Sequence, residues 1–364
     1  MSEAKPSVIQ VIDTLAPGGA ERVLIDLSNI LYMHGHRVKV LTTLAPGPLA
    51  EQLHKGIEVE SLYRKSKWNP GTMYKLVKAC KHFGLVHVHS THNLRYVFFA
   101  FKIFFLRKPI FFHHHFGNIE TDRSVHWSQR LIFPSTILIA VSRKIAAWAL
   151  NDLKMPENRI YQLSNIVVKK EIPQQHIRNT DPILQLLLTA NFRRAKHIEF
   201  AVVLIEILRK NRDVHLTIIG QEADTTYCEE IKQLIKEKKL EAAITIIHHC
   251  DDVQQILYQY DMALHTATSE SGPLVLIEYM AQQLPFLSYQ TGEVVHQVIT
   301  ELPELILSNF ETEAWSNRIQ QVEQLDKTVL KQRLLAVYEK YYSAEAYYKK
   351  CLDIYTKGLA LYSK

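Results

Sequence analysis

The chain has 364 residues, and its content of 47% hydrophobic and 22% charged residues is typical of a soluble globular protein with room for two domains. No apolar run reaches the about 18–20 residues that a membrane-spanning helix needs, and the first six residues show no signal-peptide pattern. The net charge of +6 divides unequally, because residues 1–168 carry 21 Lys and Arg against 11 Asp and Glu, whereas residues 169–364 carry 22 against 26.

This charge asymmetry predicts different partners for the two halves of the chain. A basic first half favours an anionic membrane surface or a phosphorylated substrate over nucleic acid, because the sequence contains no recognised nucleic-acid motif. The four cysteines have no paired spacing, so neither a disulfide framework nor a zinc site is predicted. We therefore expect the protein to work in a reducing cytoplasm.

The first half alternates apolar strands with amphipathic helices, which predicts a parallel sheet covered on both faces. Strands are predicted at residues 7–12, 36–42, 85–89, 109–113 and 135–142, and helices at 23–34 and 143–153. Gly18 and Gly19 lie where the first strand turns into the first helix. Glycines there either let a ligand approach the backbone closely or simply form a tight turn.

Three consecutive histidines, His113, His114 and His115, end one of these strands. Neighbouring strand residues point to opposite faces, so only His113 and His115 share a face, and a metal site is not favoured. The functional interpretation is a single histidine near a substrate, as hydrogen-bond partner or proton shuttle. The alternative is that polar residues merely close the strand.

A basic segment, Arg64–Lys81, carries six Lys or Arg side chains and no acidic residue, together with Trp68 and Tyr74. Such a segment can rest on anionic lipid headgroups. The alternative is an ordinary solvated helix face.

The second half begins the alternation again after a polar stretch at residues 172–181, which predicts a linker between domains. A strand at 183–189 leads into a loop that carries Arg193, Arg194 and Lys196. Cations at the carboxyl end of a strand can neutralise a leaving diphosphate, or they form a solvated basic turn. The next strand, at 214–220, ends in Gly220 at the level where a ligand would lie.

A strand, turn and helix at residues 261–281 carry two glutamates, Glu270 in the turn and Glu278 about two turns into the helix. The free N–H groups of the helix start suit a phosphate or diphosphate, and carboxylates on either side of it suit hydroxyls. A nucleotide sugar has hydroxyls on both sides of a diphosphate. The alternative is an ordinary strand-to-helix connection with two solvated glutamates. A last strand at 285–289 precedes an all-helical end.

Taken in order, these motifs resemble those of the large retaining glycosyltransferase family 4, over about residues 7–300 of the sequence. The resemblance implies the GT-B fold, an α/β architecture of two Rossmann-like domains facing a cleft. Residues 1–170 would form the acceptor-side domain and 181–340 the nucleotide-sugar domain. Residues 341–364 would form a helix that returns to the first domain. The motifs that carry the resemblance are Gly18–Arg22, Val86–His89, Ala140–Ser142, Leu163–Asn165, Arg193 with Lys196, and Glu270 with Glu278.

The resemblance also implies roles for single residues. His115 falls at the active-site histidine, and Arg193 and Lys196 would bind the donor diphosphate, with Arg194 as an alternative to Arg193. Glu270 would hold the sugar hydroxyls. No metal cofactor is implied, since the nucleotide sugar is a substrate. The implied donor-contact set is Gly18, Gly19, Gly220, Ser271, Gly272, Pro273, Leu274 and, at the ribose, Glu278.

Several positions depart from the family pattern. Gln221 follows Gly220 where a second glycine is common, and Gln283 or Leu284 stands where a glycine usually precedes the strand at 285–289. After Gly292 the sequence reads Glu293-Val294-Val295-His296, which lacks a glutamate that is customary in this stretch. The turn Ser271-Gly272-Pro273 differs from the usual Gly-Phe-Gly, which leaves the donor sugar and base open.

The expected activity is the retaining transfer of a sugar from a UDP-sugar, or a GDP-sugar, to a hydroxyl of a glycan or lipid-linked acceptor. The expected setting is cell-envelope polysaccharide or glycolipid synthesis in the cytoplasm, at the inner face of the plasma membrane. Three alternatives are a nucleotide-sugar epimerase of the same fold, a non-catalytic nucleotide-binding member and a membrane-binding scaffold.

Overall fold

The computed structural model describes residues 5–115, 122–172, 183–250 and 252–362, and these divide between two compact units. Unit 1 consists of Met1–Val167 with Ala344–Lys364, and unit 2 of Val168–Ser343. The predicted domains ended at residue 170 and began again at 181, so the boundary lies slightly earlier than expected. From residue 173 onward, the predicted linker lies outside the described residues, as does Gly117 after the histidine triplet.

Unit 1 contains a seven-stranded parallel sheet in the order β3-β2-β1-β4-β5-β6-β7. The inner strands are buried along their whole length, as expected for apolar strands covered on both faces. The strands are β1 Val8–Ile12, β2 Val38–Thr42, β3 Glu58–Ser61, β4 Leu85–His89, β5 Ile110–His114, β6 Ile137–Ala140 and β7 Ile160–Gln162. The helices are α1 Gly19–Met33, α2 Pro70–Lys81, α3 Thr91–Ile103, α4 Trp127–Ile132 and α5 Arg143–Asn151.

Unit 2 contains a six-stranded parallel sheet in the order β10-β9-β8-β11-β12-β13. Its strands are β8 Leu184–Thr189, β9 Val214–Ile219, β10 Ile244–Ile247, β11 Met262–His265, β12 Phe286–Tyr289 and β13 Ile306–Leu307. Its helices are α6 Ile198–Leu208, α7 Thr225–Glu237, α8 Leu274–Ala281, α9 Glu293–Glu301, α10 Thr312–Gln324 and α11 Lys327–Tyr341. A 3-10 helix, Val253–Gln259, precedes β11.

The last helix, α12 (Ala344–Ala360), belongs to unit 1 and packs its tyrosines into that unit's core. The hydroxyl of Tyr355 hydrogen-bonds His87 Nδ1 at 2.6 Å, and that of Tyr348 hydrogen-bonds His36 Nε2 at 3.0 Å. Gly358 lies against Phe111, where an added Cβ would come within 2.5 Å of a ring carbon. The close packing explains why this helix position carries no side chain.

Among the described residues, no helix is both long and apolar enough to cross a membrane.

Candidate active site

In unit 2, three loops meet at the carboxyl edge of the sheet, because β8, β11 and β12 are neighbouring parallel strands. The loop after β8 carries Lys196, the loop after β11 carries Glu270, and the loop after β12 carries Gly292. This is the edge where ligands bind in open α/β sheets. The loops are joined by backbone contacts, since Thr268 N donates to Ala195 O at 2.9 Å and Glu293 N to Ser271 O at 2.8 Å.

The ammonium of Lys196 contacts the carboxylate of Glu270 in an ion pair, and the two side chains are 24% and 16% exposed. His265 Nε2 lies 3.8 Å from the same carboxylate oxygen, while its Nδ1 is 2.9 Å from Ser288 Oγ. Burial by itself raises the pKa of Glu270, but His265 and the Lys196 charge outweigh it and lower that pKa to about 2. Glu270 is therefore an ionised hydrogen-bond acceptor at neutral pH.

Lys196 is held in place through its backbone. It ends a short 3-10 turn, Arg194–Lys196, and its carbonyl accepts a hydrogen bond from Thr266 Oγ1 at 2.8 Å. His197 follows in the left-handed region, with φ of 52°, and is the N-cap residue of α6. The turn after β8 is thus hydrogen-bonded to the loop after β11, which keeps the Lys196 side chain close to Glu270.

The two adjacent arginines of this loop differ in what they contact. Arg194 pairs with Glu230 at 2.6 Å and lies over the ring of Tyr227, with its guanidinium carbon 5.5 Å from the ring centre. Arg193 is exposed, and its guanidinium has no ion-pair partner in the part of the chain that the structure describes. Of the two arginines, Arg193 is therefore the more available cation for a ligand.

Helix α8 begins directly after the turn Ser271-Gly272-Pro273, and no described side chain caps its first N–H groups. Gly292 makes this arrangement possible, because its φ is +83° and an added Cβ would lie 2.8 Å from the Pro273 ring and 3.1 Å from Glu270 Cβ. Leu274 is the first helical residue. Glu278, later in the same helix, is buried at 4% exposure.

Gly220 follows β9 and has a packing role that the sequence did not reveal. An added Cβ would come within 1.8 Å of Ala190 O and 2.9 Å of Asn191 N, both backbone atoms of the loop after β8. Gln221, at the position where the family often has a second glycine, is tied to the same loop. Its N–H donates to Asn191 Oδ1 at 3.0 Å, and its carbonyl accepts from Phe192 N at 2.8 Å.

In unit 1, Gly18 precedes α1 as its N-cap residue, in an extended conformation that any residue can adopt. An added Cβ would meet only the mobile carboxylate of Glu21, at 2.2 Å. Burial is the main cause that raises the pKa of Glu21. The conformation at Gly18 therefore does not require glycine, and Gly19 is simply the first residue of the helix.

Four histidines of unit 1 form a cluster on one face of the sheet: His87, His89, His113 and His115. His89 of β4 is the register neighbour of His113 of β5, and the ring centres of His113 and His115 lie 4.2 Å apart. The sharing of a face by His113 and His115 agrees with the alternation that the sequence predicted. His89 Nδ1 lies 3.2 Å from His115 Nε2, and His89 Nε2 lies 2.9 Å from Gln10 Oε1.

These histidines are neutral at physiological pH. Burial, with a smaller effect of the neighbouring imidazoles, lowers the pKa of His87 and of His115 to about 3 each. The same causes hold the pKa values of His89 and His113 well below the usual value of 6.5. His115 can therefore donate or accept a hydrogen bond, but it is not a cation at neutral pH.

Among the residues that the structure describes, two groups of side chains could hold a metal ion. One ligand atom each of His87, His89 and His113 lie within 4.8 Å of one another, and so do those of Glu222, Cys228 and His248 in unit 2. The rings of His87 and His89 are stacked at an interplanar angle of 4°, so their in-plane lone pairs run side by side. The rings would have to rotate to share an ion, and the absence of a metal cofactor stays a prediction.

The architecture of the two units matches that of solved glycosyltransferase structures over nearly the whole chain. A glycosyltransferase from Rickettsia africae ESF-5 is 15% identical, with a TM-score of 0.79 over 98% of this chain and 99% of that one. Anabaena HepE, solved in complex with UDP, is 17% identical, with a TM-score of 0.78 over 96% and 99%. These likenesses show the fold, which is GT-B as the sequence predicted.

The family follows from the sequence itself. The family described as Glycosyltransferase Family 4 matches residues 17–169, and the one described as Glycosyl transferases group 1 matches residues 168–334. The chain therefore belongs to the group 1 glycosyltransferases, which confirms the predicted family and enzyme class. Among curated proteins, N-acetyl-alpha-D-glucosaminyl L-malate synthase of Bacillus anthracis is 28% identical over 109 residues. That match spans 30% of this chain and 28% of the relative.

Proposed function

We propose that the protein is a retaining glycosyltransferase that moves a sugar from a UDP-sugar to an acceptor hydroxyl. The observation that carries the proposal is the Lys196–Glu270 ion pair beside the start of α8, at the carboxyl edge of the unit 2 sheet. Two relatives support the choice of donor: Anabaena HepE has been solved with UDP-glucose, and the Bacillus anthracis relative is named for an N-acetylglucosaminyl product.

The ion pair suits a donor that binds both of its members, so that each exchanges its protein partner for a group of the donor. A bound diphosphate would take over Lys196 as its partner, with help from Arg193 and the N–H groups of α8. The carboxylate of Glu270 would then be free to accept hydrogen bonds from sugar hydroxyls. Because charge develops on the diphosphate as the sugar leaves, the same cations would stabilise the transition state more than the ground state.

The remaining predicted residues have supporting roles in this proposal. Glu278 would accept hydrogen bonds from the ribose, and Gly220 would keep the loop that bears Arg193 in place. His115 would act as a neutral hydrogen-bond partner for the sugar or acceptor. No step requires a metal ion, since Arg193 and Lys196 supply positive charge at the diphosphate.

Binding and turnover of nucleotide sugars test this proposal. UDP-, GDP- and ADP-sugars are compared by thermal shift, and donor consumption is then followed with and without candidate acceptors. We expect a UDP-sugar to stabilise the protein and Lys196→Gln to weaken UDP binding at least about tenfold, as for a hydrogen-bonded charge pair. Glu230→Gln is the matched control, because Glu230 pairs with Arg194 on the exposed side of the loop.

Two results would contradict the proposal. One is a protein that no nucleotide sugar stabilises. The other is Glu270→Gln turning over donor as fast as the unaltered enzyme. Isomerisation of the donor sugar without any acceptor would instead identify an epimerase, and binding without turnover would identify a non-catalytic member.

We also propose that α2 contacts an anionic membrane surface. Lys75, Lys78 and Lys81 are exposed at helical spacing, and Tyr74 beside them is 56% exposed. Phe105, just beyond α3, is 91% exposed, and the Tyr74 ring touches the adjacent Phe104 at 5.7 Å between centres. The proposed membrane-contacting surface thus includes less of the chain between residues 64 and 81 than the predicted segment Arg64–Lys81.

Arg64 is excluded from that surface, since its side chain is only 13% exposed and lies over Tyr96. Sedimentation with vesicles of phosphatidylglycerol tests the remaining contact. We expect binding that falls when all three lysines of α2 become glutamine, whereas Lys236→Gln in unit 2 should have no effect. Equal binding to neutral phosphatidylcholine vesicles would argue against the proposal.

A further inference from the structure

Unit 1 contains a cavity of about 280 Å³ that the donor site does not use. It opens at the carboxyl edge of the sheet, since Asp13 follows β1 and His92 lies in the first turn of α3 after β4. The other lining residues that matter here are Arg64, Lys67, Trp68, Arg95 and Tyr96. The volume is below the about 300–1,000 Å³ of typical small-molecule sites, so the cavity fits a headgroup rather than a whole lipid or oligosaccharide.

The charge of the lining is positive. Arg64, Lys67 and Arg95 stand against a single carboxylate, that of Asp13. The guanidinium of Arg64 is 3.5 Å from Asp13 Oδ1, which is longer than a strong charge-assisted hydrogen bond of about 2.7–2.9 Å. The excess of two positive charges matches a phosphate monoester better than a single carboxylate.

The two arginines have unused hydrogen-bonding capacity. Arg64 Nε and Arg95 Nε are buried and have no hydrogen-bond partner in the described structure. No ion pair of Arg95 with any described residue is present. A buried donor without a partner is costly, and a phosphate or carboxylate between the two forks would satisfy both.

The opposite wall is apolar and aromatic. Tyr96, Phe99 and Met73 line the cavity, and Trp68 stands at its mouth, 62% exposed and with its ring centre 6.2 Å from that of Phe99. Tyr96 is fixed by its hydroxyl, which donates to Thr72 Oγ1 at 2.8 Å, and by the Arg64 guanidinium over its ring. The wall would cover an apolar group attached to the anion.

We propose that this cavity binds the phosphate ester of an acceptor that carries an apolar group next to its phosphate. The proposal rests on the proposed function, because it names the substrate class that the transferase glycosylates. Arg64 and Arg95 hold the phosphate oxygens, Lys67 adds long-range attraction, and Trp68, Tyr96 and Phe99 pack against the apolar part. The phosphate is a recognition group and takes no part in bond making.

Binding of simple phosphate esters tests the proposal in the full-length protein. The probes are phenyl phosphate and monomeric dihexanoyl phosphatidic acid, each paired with an uncharged or zwitterionic counterpart, phenyl β-glucoside and dihexanoyl phosphatidylcholine. We expect calorimetric binding of both phosphate monoesters and weak or no binding of the counterparts. Preference between the two esters tells a soluble aryl phosphate from a lipid headgroup.

Variants locate the binding. Arg95→Gln should weaken binding of the phosphate esters at least about tenfold, because it removes a charged fork. Arg95→Lys should give an intermediate loss. Arg107→Gln is the control, because Arg107 is an exposed cation of the same unit outside the cavity. UDP-sugar binding should be unchanged in all three, which also verifies that they are folded.

Each outcome separates this inference from the proposed function. If UDP-sugars bind the unaltered protein but the phosphate esters do not, or if Arg95→Gln binds the esters as tightly as the unaltered protein, the inference is wrong and the proposed function stands. If the esters bind in an Arg95-dependent way and no nucleotide sugar binds, the cavity is an anion site and the proposed function is wrong.

Discussion

At the level of single residues, the charged state of the Glu270 carboxylate depends on the side chains around it. Its carboxylate is largely buried and would be unfavourable there if it were not paired with Lys196. Burial lowers the pKa of the adjacent His265, so the positive charge beside Glu270 at neutral pH is that of Lys196. In the proposed function, a ligand separates the pair by supplying an anion to Lys196 and hydroxyls to Glu270.

Acid should weaken the contribution of Glu270 to stability. Its pKa is about 2 in the folded protein against 4.5 ordinarily, so its stabilising effect is fully present above about pH 4.5 and is lost as the pH falls towards 2. The shift corresponds to a free energy on the order of 3 kcal/mol. Urea unfolding of Glu270→Gln and of the unaltered protein should therefore differ most at pH 6–7.

The difference should shrink below pH 4.5. Glu230→Gln, whose carboxylate is about half exposed in its pair with Arg194, should change the free energy of unfolding by less than about 1 kcal/mol at every pH. A Glu270→Gln difference that is constant from pH 6 to pH 3 would mean that the ion pair does not set the pKa.

At the level of elements, the central strands could be predicted, whereas three of the edge strands, β3, β7 and β13, could not. β1, β4 and β5 are buried throughout and consist mostly of apolar residues. β3 and β7 are partly exposed, and β13 has two residues, so none of them shows a clear apolar pattern. Each of these three strands pairs with one neighbour alone, which leaves one side free and lowers the demand for apolar residues.

A further prediction concerns His113, which lies in β5 and is the register neighbour of His89 in β4. Neither ring nitrogen of His113 has a hydrogen-bond partner in the described structure, although the residue is fully buried. Its pKa is well below 6.5 in the folded protein, so the unfolded chain binds an extra proton as the pH falls below about 6.5. This lowers stability by up to about 1.4 kcal/mol per pH unit.

His113→Phe should remove that contribution. We expect a free energy of unfolding for unit 1 that is unchanged or higher at pH 7.5, since an apolar ring replaces an unsatisfied polar one. Between pH 6 and pH 4 the variant should lose less stability than the unaltered protein. His82→Gln, which alters an exposed histidine of the same unit, serves as the control. A steeper loss in His113→Phe would contradict the expectation.

At the level of the whole molecule, unit 1 is completed from the far end of the chain. α12 supplies Tyr347, Cys351 and Tyr355, all buried, and the Tyr355 hydroxyl hydrogen-bonds Nδ1 of His87 in the histidine cluster. The fold of unit 1 therefore depends on a helix that follows unit 2 in the sequence.

Truncation after Ser343 tests this dependence. The shortened chain should lose the calorimetric unfolding transition of unit 1, or show it more than about 10 °C lower, because several large aromatic side chains leave the core. Unit 2 should keep its own transition. A chain that ends at Tyr362 is the control, since it retains all of α12. An unshifted transition in the chain that ends at Ser343 would show that α12 is dispensable.

Much of the secondary structure of this protein is determined by residues that are neighbours in the sequence. The alternation of apolar strands and amphipathic helices follows from side-chain periodicity, and it identified the parallel sheets without knowledge of any contact. The order of motifs identified the family, and the spacing of Glu270 and Glu278 is a property of the chain alone. The periodicity and the glutamate spacing depend on residues that are close together in the sequence, and the motif order depends on the sequence alone.

Only the tertiary structure decided which side chains meet. Lys196 and Glu270 are 74 positions apart, and they pair because β8 and β11 are adjacent strands. In the same way, the parallel arrangement of β1, β3 and β4 in the unit 1 sheet brings Asp13, Arg64 and Arg95, which follow these strands in turn, to one edge. Strand order depends on the packing of whole elements, which no local pattern encodes. The sequence therefore predicted the kind of site, and the fold determined its partners.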